Sequence, residues 1–151
     1  MKAKYINPFL AASLNLFRDH LEVDCANKPP YLNKDPARLG EVSAIIGLAG
    51  ETSGAVVLSF EGPTALAMAG KLAGKPFTEL SSEAIDCVGE LANIIAGNAK
   101  RDLEDFRISI SLPGVFVGQD ARIKWPEGVP VITIPFSSEL GEFSVNVSLK
   151  E

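Results

Sequence analysis

Ile45-Ile46-Gly47-Leu48-Ala49-Gly50-Glu51-Thr52-Ser53-Gly54-Ala55-Val56-Val57-Leu58-Ser59-Phe60 reads as two apolar runs around a polar, glycine-bearing turn. Runs rich in Val, Ile, Leu and Phe at this spacing predict strands over residues 42–48 and 54–60, joined as a hairpin. A second stretch, residues 132–149, has the same plan: a strand, the turn Ser138-Glu139-Leu140-Gly141, and a strand. Each hairpin follows a helical pattern. Phe9, Leu10, Leu14, Phe17 and Leu21 form an apolar stripe over residues 8–20, with Asn7 as N-cap and Pro8 as first helical residue. Ser81 or Ser82 caps a longer helix reaching about residue 103. Two helix-plus-hairpin halves predict an internal pseudo-twofold, with helices covering an antiparallel sheet. The expected class is α+β.

The remaining segments fit around this frame. Residues 27–36 carry Pro29, Pro30 and Pro36 and read as a loop. A short helix over residues 63–72 ends at Gly74, a residue suited to a left-handed C-terminal position. Short strands are expected over 107–111 and 115–117, and Trp125-Pro126-Glu127-Gly128 is a turn. The chain has 151 residues, 46% hydrophobic and 22% charged, which suits one domain over 1–151 with a single core.

Composition excludes several classes. Net charge is −5, and no basic footprint for nucleic acid is visible. An acidic surface suits a basic protein partner, although acidity also serves solubility alone. No apolar run approaches the roughly eighteen residues that span a bilayer, and Met1-Lys2-Ala3-Lys4-Tyr5 leads into Asn7-Pro8 without a signal-peptide core. The expected compartment is the cytoplasm. Cys25, Cys87 and the lone His20 form no metal-ligand spacing, and neither thiol has a case for catalysis. Gly70-Lys71-Leu72-Ala73-Gly74-Lys75 fails as a phosphate-binding loop: it is one residue short between its glycines, Pro76 replaces the Ser/Thr, and it ends a helix. Gly47, Gly50 and Gly54 lie in a hairpin and make no dinucleotide fingerprint.

The helix beginning near Ser82 carries the chemistry. At about 100° per residue, Ile85, Val88, Ala92, Ile95, Ala99 and Leu103 share one face. Glu83, Asp86, Glu90, Asn93, Gly97, Lys100 and Arg101 fall on the other, so Glu90 and Asn93 stand one turn apart, side by side and outward. A bare Glu-x-x-Asn is what many solvated helix faces show. Gly97 is less ordinary, because glycine costs about 1 kcal/mol in a helix interior. On the exposed face it lowers the surface and admits a close-approaching backbone, or else it serves packing within the chain.

Gly89-Glu90-Leu91-Ala92-Asn93-Ile94-Ile95-Ala96-Gly97-Asn98-Ala99 resembles the active-site helix of the chemotaxis phosphatases CheC, CheX and FliY. Asp86, Glu90 and Asn93 match that family's pattern of Asp or Ser, three residues, Glu, two residues, Asn. Pro113, arriving somewhat earlier than the family's later proline, is the candidate for it. The resemblance extends over residues 45–60, the short helix to Gly74, and Leu140-Gly141-Glu142-Phe143-Ser144-Val145-Asn146-Val147. CheC-type members carry a second motif on the first helix. Here Ala12 stands three residues before Asn15, so one site per chain remains and the likeness is to CheX.

The resemblance implies a phosphatase that hydrolyses the aspartyl phosphate of a CheY-like response-regulator receiver. Asn93 would orient the attacking water, Glu90 would pair with a receiver lysine, and Asp86 and Gly97 would contact the partner. No cofactor is expected on this chain; Mg²⁺ is expected in the receiver. The other reading is a non-catalytic receiver-binding or flagellar-switch-like module. A homodimer is expected as well, with the run 131–136 as the strand edge available for pairing.

Overall fold

The computed structural model of the protein describes residues 2–103, 105–118 and 122–150. Its elements in chain order are α1 (Ala3–Leu16), which runs on into a π-helical turn (Phe17–Leu21), then β1 (Cys25–Asn27), β2 (Tyr31–Leu32), β3 (Val42–Gly50) and β4 (Gly54–Phe60). There follow α2 (Gly62–Ala73), α3 (Ser82–Arg101), β5 (Ile108–Ile110), β6 (Gly114–Val117), β7 (Ile132–Ser138) and β8 (Gly141–Leu149). All strand pairings are antiparallel, and the architecture is α+β as expected.

The sheet order is β1-β7-β8-β4-β3-β5, with β2 also on β7 and β6 also on β3. The two hairpins meet where β4 pairs with β8. Each half contributes a helix, two short strands and a hairpin, and each half's short strands pair with the other half's hairpin. This exchange locks the halves together. Residues 27–36 are therefore not all loop: β1 and β2 bracket Pro29 and Pro30, which stand where no ladder bond is needed.

β7 is an interior strand, paired with β8 on one side and with β1 and β2 on the other. The expected free edge over 131–136 does not exist. The outer strands are β1 and β2 at one end of the sheet and β5 and β6 at the other.

Alternation along the strands sends Val42, Ala44, Ile46 and Leu48, Val56, Leu58 and Phe60, and Phe143, Val145 and Val147 into one core beneath the helices. Phe143 stacks at 5.0, 5.5 and 5.6 Å from the rings of Phe136, Phe17 and Phe60. These contacts tie three strands to the end of the first helix. On the sheet's other face a buried polar chain holds β7 to β8. Asn33 donates to Thr133 at 2.9 Å, Thr133 donates to Asn146 at 2.6 Å, and the Asn146 amide donates to the Val57 carbonyl at 3.1 Å.

α1 begins five residues before the expected start, and Lys2 rather than Asn7 precedes it. Tyr5 and Ile6 are buried and extend the apolar stripe by a turn, while Pro8, inside the helix, removes one N–H from the ladder near its start. The Tyr5 hydroxyl donates to Asp105 at 2.9 Å and Lys4 pairs with the same carboxylate at 2.6 Å, which moors this end beyond α3. These two bonds hold the Asp105 carboxyl below its ordinary range. α2 ends as expected, at Gly74 with φ 73°, a conformation glycine adopts without strain.

Candidate functional site

α3 forms for local reasons. Ser81 is its N-cap, its hydroxyl accepting from the Ala84 N–H at 3.2 Å. Glu83 lies in the first turn and Lys100 and Arg101 in the last, each complementing the helix dipole. Ala84, Val88, Leu91, Ala92, Ile95, Ala96 and Ala99 are buried, a wider stripe than the sequence reading allowed; Ile85 is only half-buried. The small residues let α3 lie close to the sheet and to its neighbours.

The opposite face carries the candidate residues. Asp86 and Glu90 are exposed, while Asn93 and Gly97 are half-buried. Asn93 is thus turned partly inward instead of fully outward. The cause is its position about 40° around the helix from Gly89, which is buried against Pro113 and Val115. A Cβ on Gly89 would stand 3.3 Å from the Pro113 ring and 3.5 Å from the Val115 side chain. Pro113 therefore abuts α3 one residue from Glu90, next to the side where Asp86 and Asn93 lie.

A Cβ on Gly97 would meet nothing within 4 Å. Packing among the described residues does not explain this glycine, and the low, open surface remains. Among the described residues no hydrogen bond or ion pair engages the Glu90 carboxylate or the Asn93 amide. Glu83, by contrast, is held by Lys75 at 2.6 Å. Burial pushes the Cys87 thiol above its ordinary value, and Glu83, Asp86 and Glu90 add to the shift while Lys75 opposes it. A thiol held protonated is a poor nucleophile. Burial likewise raises Cys25, to about 11.

Clefts of about 500 Å³ beside α2 and about 480 Å³ at the C-terminal end of α3 lie away from Glu90 and Asn93. Among the described residues no group of three or more His, Cys, Asp or Glu stands placed to hold a metal ion. No helix among them is long and apolar enough to cross a membrane. Two polar side chains that nothing among the described residues engages suit a macromolecular partner that supplies the rest of the site.

Comparison with known proteins agrees with this class. Residues 42–137 match the family model described as chemotaxis phosphatase CheX, and the chain belongs to that family. It is 28% identical to the CheY-P phosphatase CheX of Thermotoga maritima, over 99% of this chain and 98% of that one. Among solved structures, a CheC-like superfamily protein from Shewanella sp. PV-4 superposes with a TM-score of 0.89 at 30% identity, covering 100% of both chains. The CheX of a CheX–CheY–BeF3–Mg²⁺ complex from Borrelia burgdorferi superposes with a TM-score of 0.81 at 31% identity, over 97% of this chain and 98% of that one.

Proposed function

We propose that this chain, as one CheX-like domain over 1–151, is a phosphatase that hydrolyses the aspartyl phosphate of a CheY-like response-regulator receiver. The observation that carries the reading is the pair Glu90 and Asn93, one turn apart on α3 and without a hydrogen bond or ion pair among the described residues. Membership of the chemotaxis phosphatase family supports it, as do the Thermotoga relative named for acting on CheY-P and the Borrelia complex with CheY.

Phosphoryl transfer asks for a placed water and an in-line path more than for covalent help from the protein. A carboxamide both donates and accepts, so Asn93 holds a water without losing or gaining a proton. Water attacks phosphorus, the bond to the aspartyl oxygen breaks, and the aspartate leaves as a carboxylate with inorganic phosphate as the other product. Glu90 pairs with a receiver lysine and fixes the register, which is where most of the rate gain arises. Asp86 and the low surface at Gly97 contact the partner on either side. A Mg²⁺ held by the receiver supplies charge stabilisation at the phosphoryl oxygens. The protein works in the cytoplasm as a homodimer.

The test is to mix the protein with phosphorylated receivers and time phosphate loss. Asn93→Ala lowers the maximal rate by roughly 10²–10³ while the receiver still binds. Hydrolysis at the unmutated rate would overturn the mechanism and leave a non-catalytic receiver-binding or flagellar-switch-like module.

A further inference from the structure

β5 and β6 are one edge strand broken by a bulge. Between the pairs Leu48↔Ile110 and Ile45↔Gly114, β3 advances three residues and its partner four. The extra residue falls at Leu112-Pro113, opposite Ile46. The break is pinned on both sides. Ser111 donates its N–H to the Gly47 carbonyl at 2.9 Å, accepts from the Gly47 N–H at 2.8 Å through its hydroxyl, and donates that hydroxyl to the Leu112 carbonyl at 3.0 Å. Pro113 rests against α3 at Gly89. Between these anchors Leu112 is 90% exposed, against 48–54% for the other exposed large hydrophobics.

We propose that Leu112 is an apolar docking contact for the phosphorylated receiver, held by the bulge beside the Glu90–Asn93 face. The proposal deepens the phosphatase reading and rests on it. A leucine on a slack loop folds back onto apolar surface, whereas this one is kept in water by bonds on one side and packing on the other. Leu112 adjoins Pro113 in the chain, and Pro113 rests on Gly89, the residue before Glu90, so the bulge brings Leu112 to the border of the face that carries Glu90 and Asn93. A second copy adding a strand is disfavoured here: Pro113 offers no N–H, and a bulge interrupts the edge such a copy would need. The receiver therefore meets an ion pair at Glu90 and an apolar contact at Leu112, flanking the amide that holds water.

The experiment uses the full chain and a phosphorylated receiver that it dephosphorylates. Leu112→Ala raises KM about tenfold, equivalent to about 1.4 kcal/mol of lost binding, with little change in kcat. Leu112→Met restores KM, and melting temperature and light-scattering mass stay as in the unmutated protein. An unchanged KM with Leu112→Ala overturns the docking role while leaving the phosphatase reading intact. A fall in mass that accounts for the KM change overturns it too, assigning Leu112 to contact between copies. If the unmutated chain hydrolyses no phosphorylated receiver, the phosphatase reading fails and the docking role fails with it.

Discussion

Asn93 and Gly97 lie on the same face of α3 and make opposite demands on stability and activity. Asn93→Asp keeps the shape of the amide but brings a negative charge toward a phosphoryl group. It should be at least as inactive as Asn93→Ala in the phosphate-release assay, and activity above that of alanine would count against a water-holding amide. Neither change should cost folding stability beyond about 0.5 kcal/mol, since no hydrogen bond among the described residues is lost. Gly97→Ala is the converse case. A Cβ there meets open space, so denaturant titration should show a gain of up to about 1 kcal/mol from helix propensity. On the proposed docking face the same methyl group would stand in the receiver's way, so KM should rise. A more stable and fully active Gly97→Ala would end the argument for close backbone approach. At this scale the sequence exposed the identity of Asp86, Glu90, Asn93 and Gly97 and their shared face. It did not expose the inward turn of Asn93, because that depends on Pro113 arriving at Gly89 from a strand far along the chain.

Along α3 as an element, charge runs from acid to base. Glu83, Asp86 and Glu90 occupy its first half and Lys100 and Arg101 its last turn. Docking by Glu90 on a basic partner should weaken as salt rises, because the Debye length falls from roughly 10 Å at 0.1 M to 3 Å at 1 M. Glu90→Lys should impair the reaction more than Glu90→Ala, adding repulsion to lost attraction. Equal effects on KM across a salt series would argue against a basic partner group at this position. The long helix was legible because Ser81, the apolar period and the basic last turn agree locally. Other elements were less so. α1 starts early because burial of Tyr5 and Ile6 outweighs one lost N–H at Pro8. β1 and β2 were missed because two- and three-residue strands between prolines carry almost no period. The better signal was the repeat: the second half has two short strands between its helix and hairpin, and the first half matches it. Ser111-Leu112-Pro113-Gly114, at the join of the strands expected over 107–111 and 115–117, is likewise a bulge signal.

For the whole molecule, the repeat made the sheet legible in kind but not in order. Two hairpins in sequence permit several arrangements, and nothing local says that β4 meets β8 or that the short strands cross to the opposite half. That crossing places β7 inside the sheet and removes the edge first expected to join two chains. A homodimer must then use another surface, and its choice is constrained by α3. That helix packs over the β3, β5 and β6 end of the sheet, so an interface there would crowd the face proposed for the receiver. The far end carries Tyr31 and Leu32 on β2, 52% and 54% exposed, where an interface leaves both α3 faces open. Light scattering at micromolar concentration should report about twice 16.0 kDa. Tyr31→Glu with Leu32→Glu places two like charges on the symmetric patch and should return the chain to 16.0 kDa with its melting curve still cooperative. A mass of two chains that survives this double substitution would move the interface elsewhere, and a monomer in the unmutated protein would remove the dimer altogether.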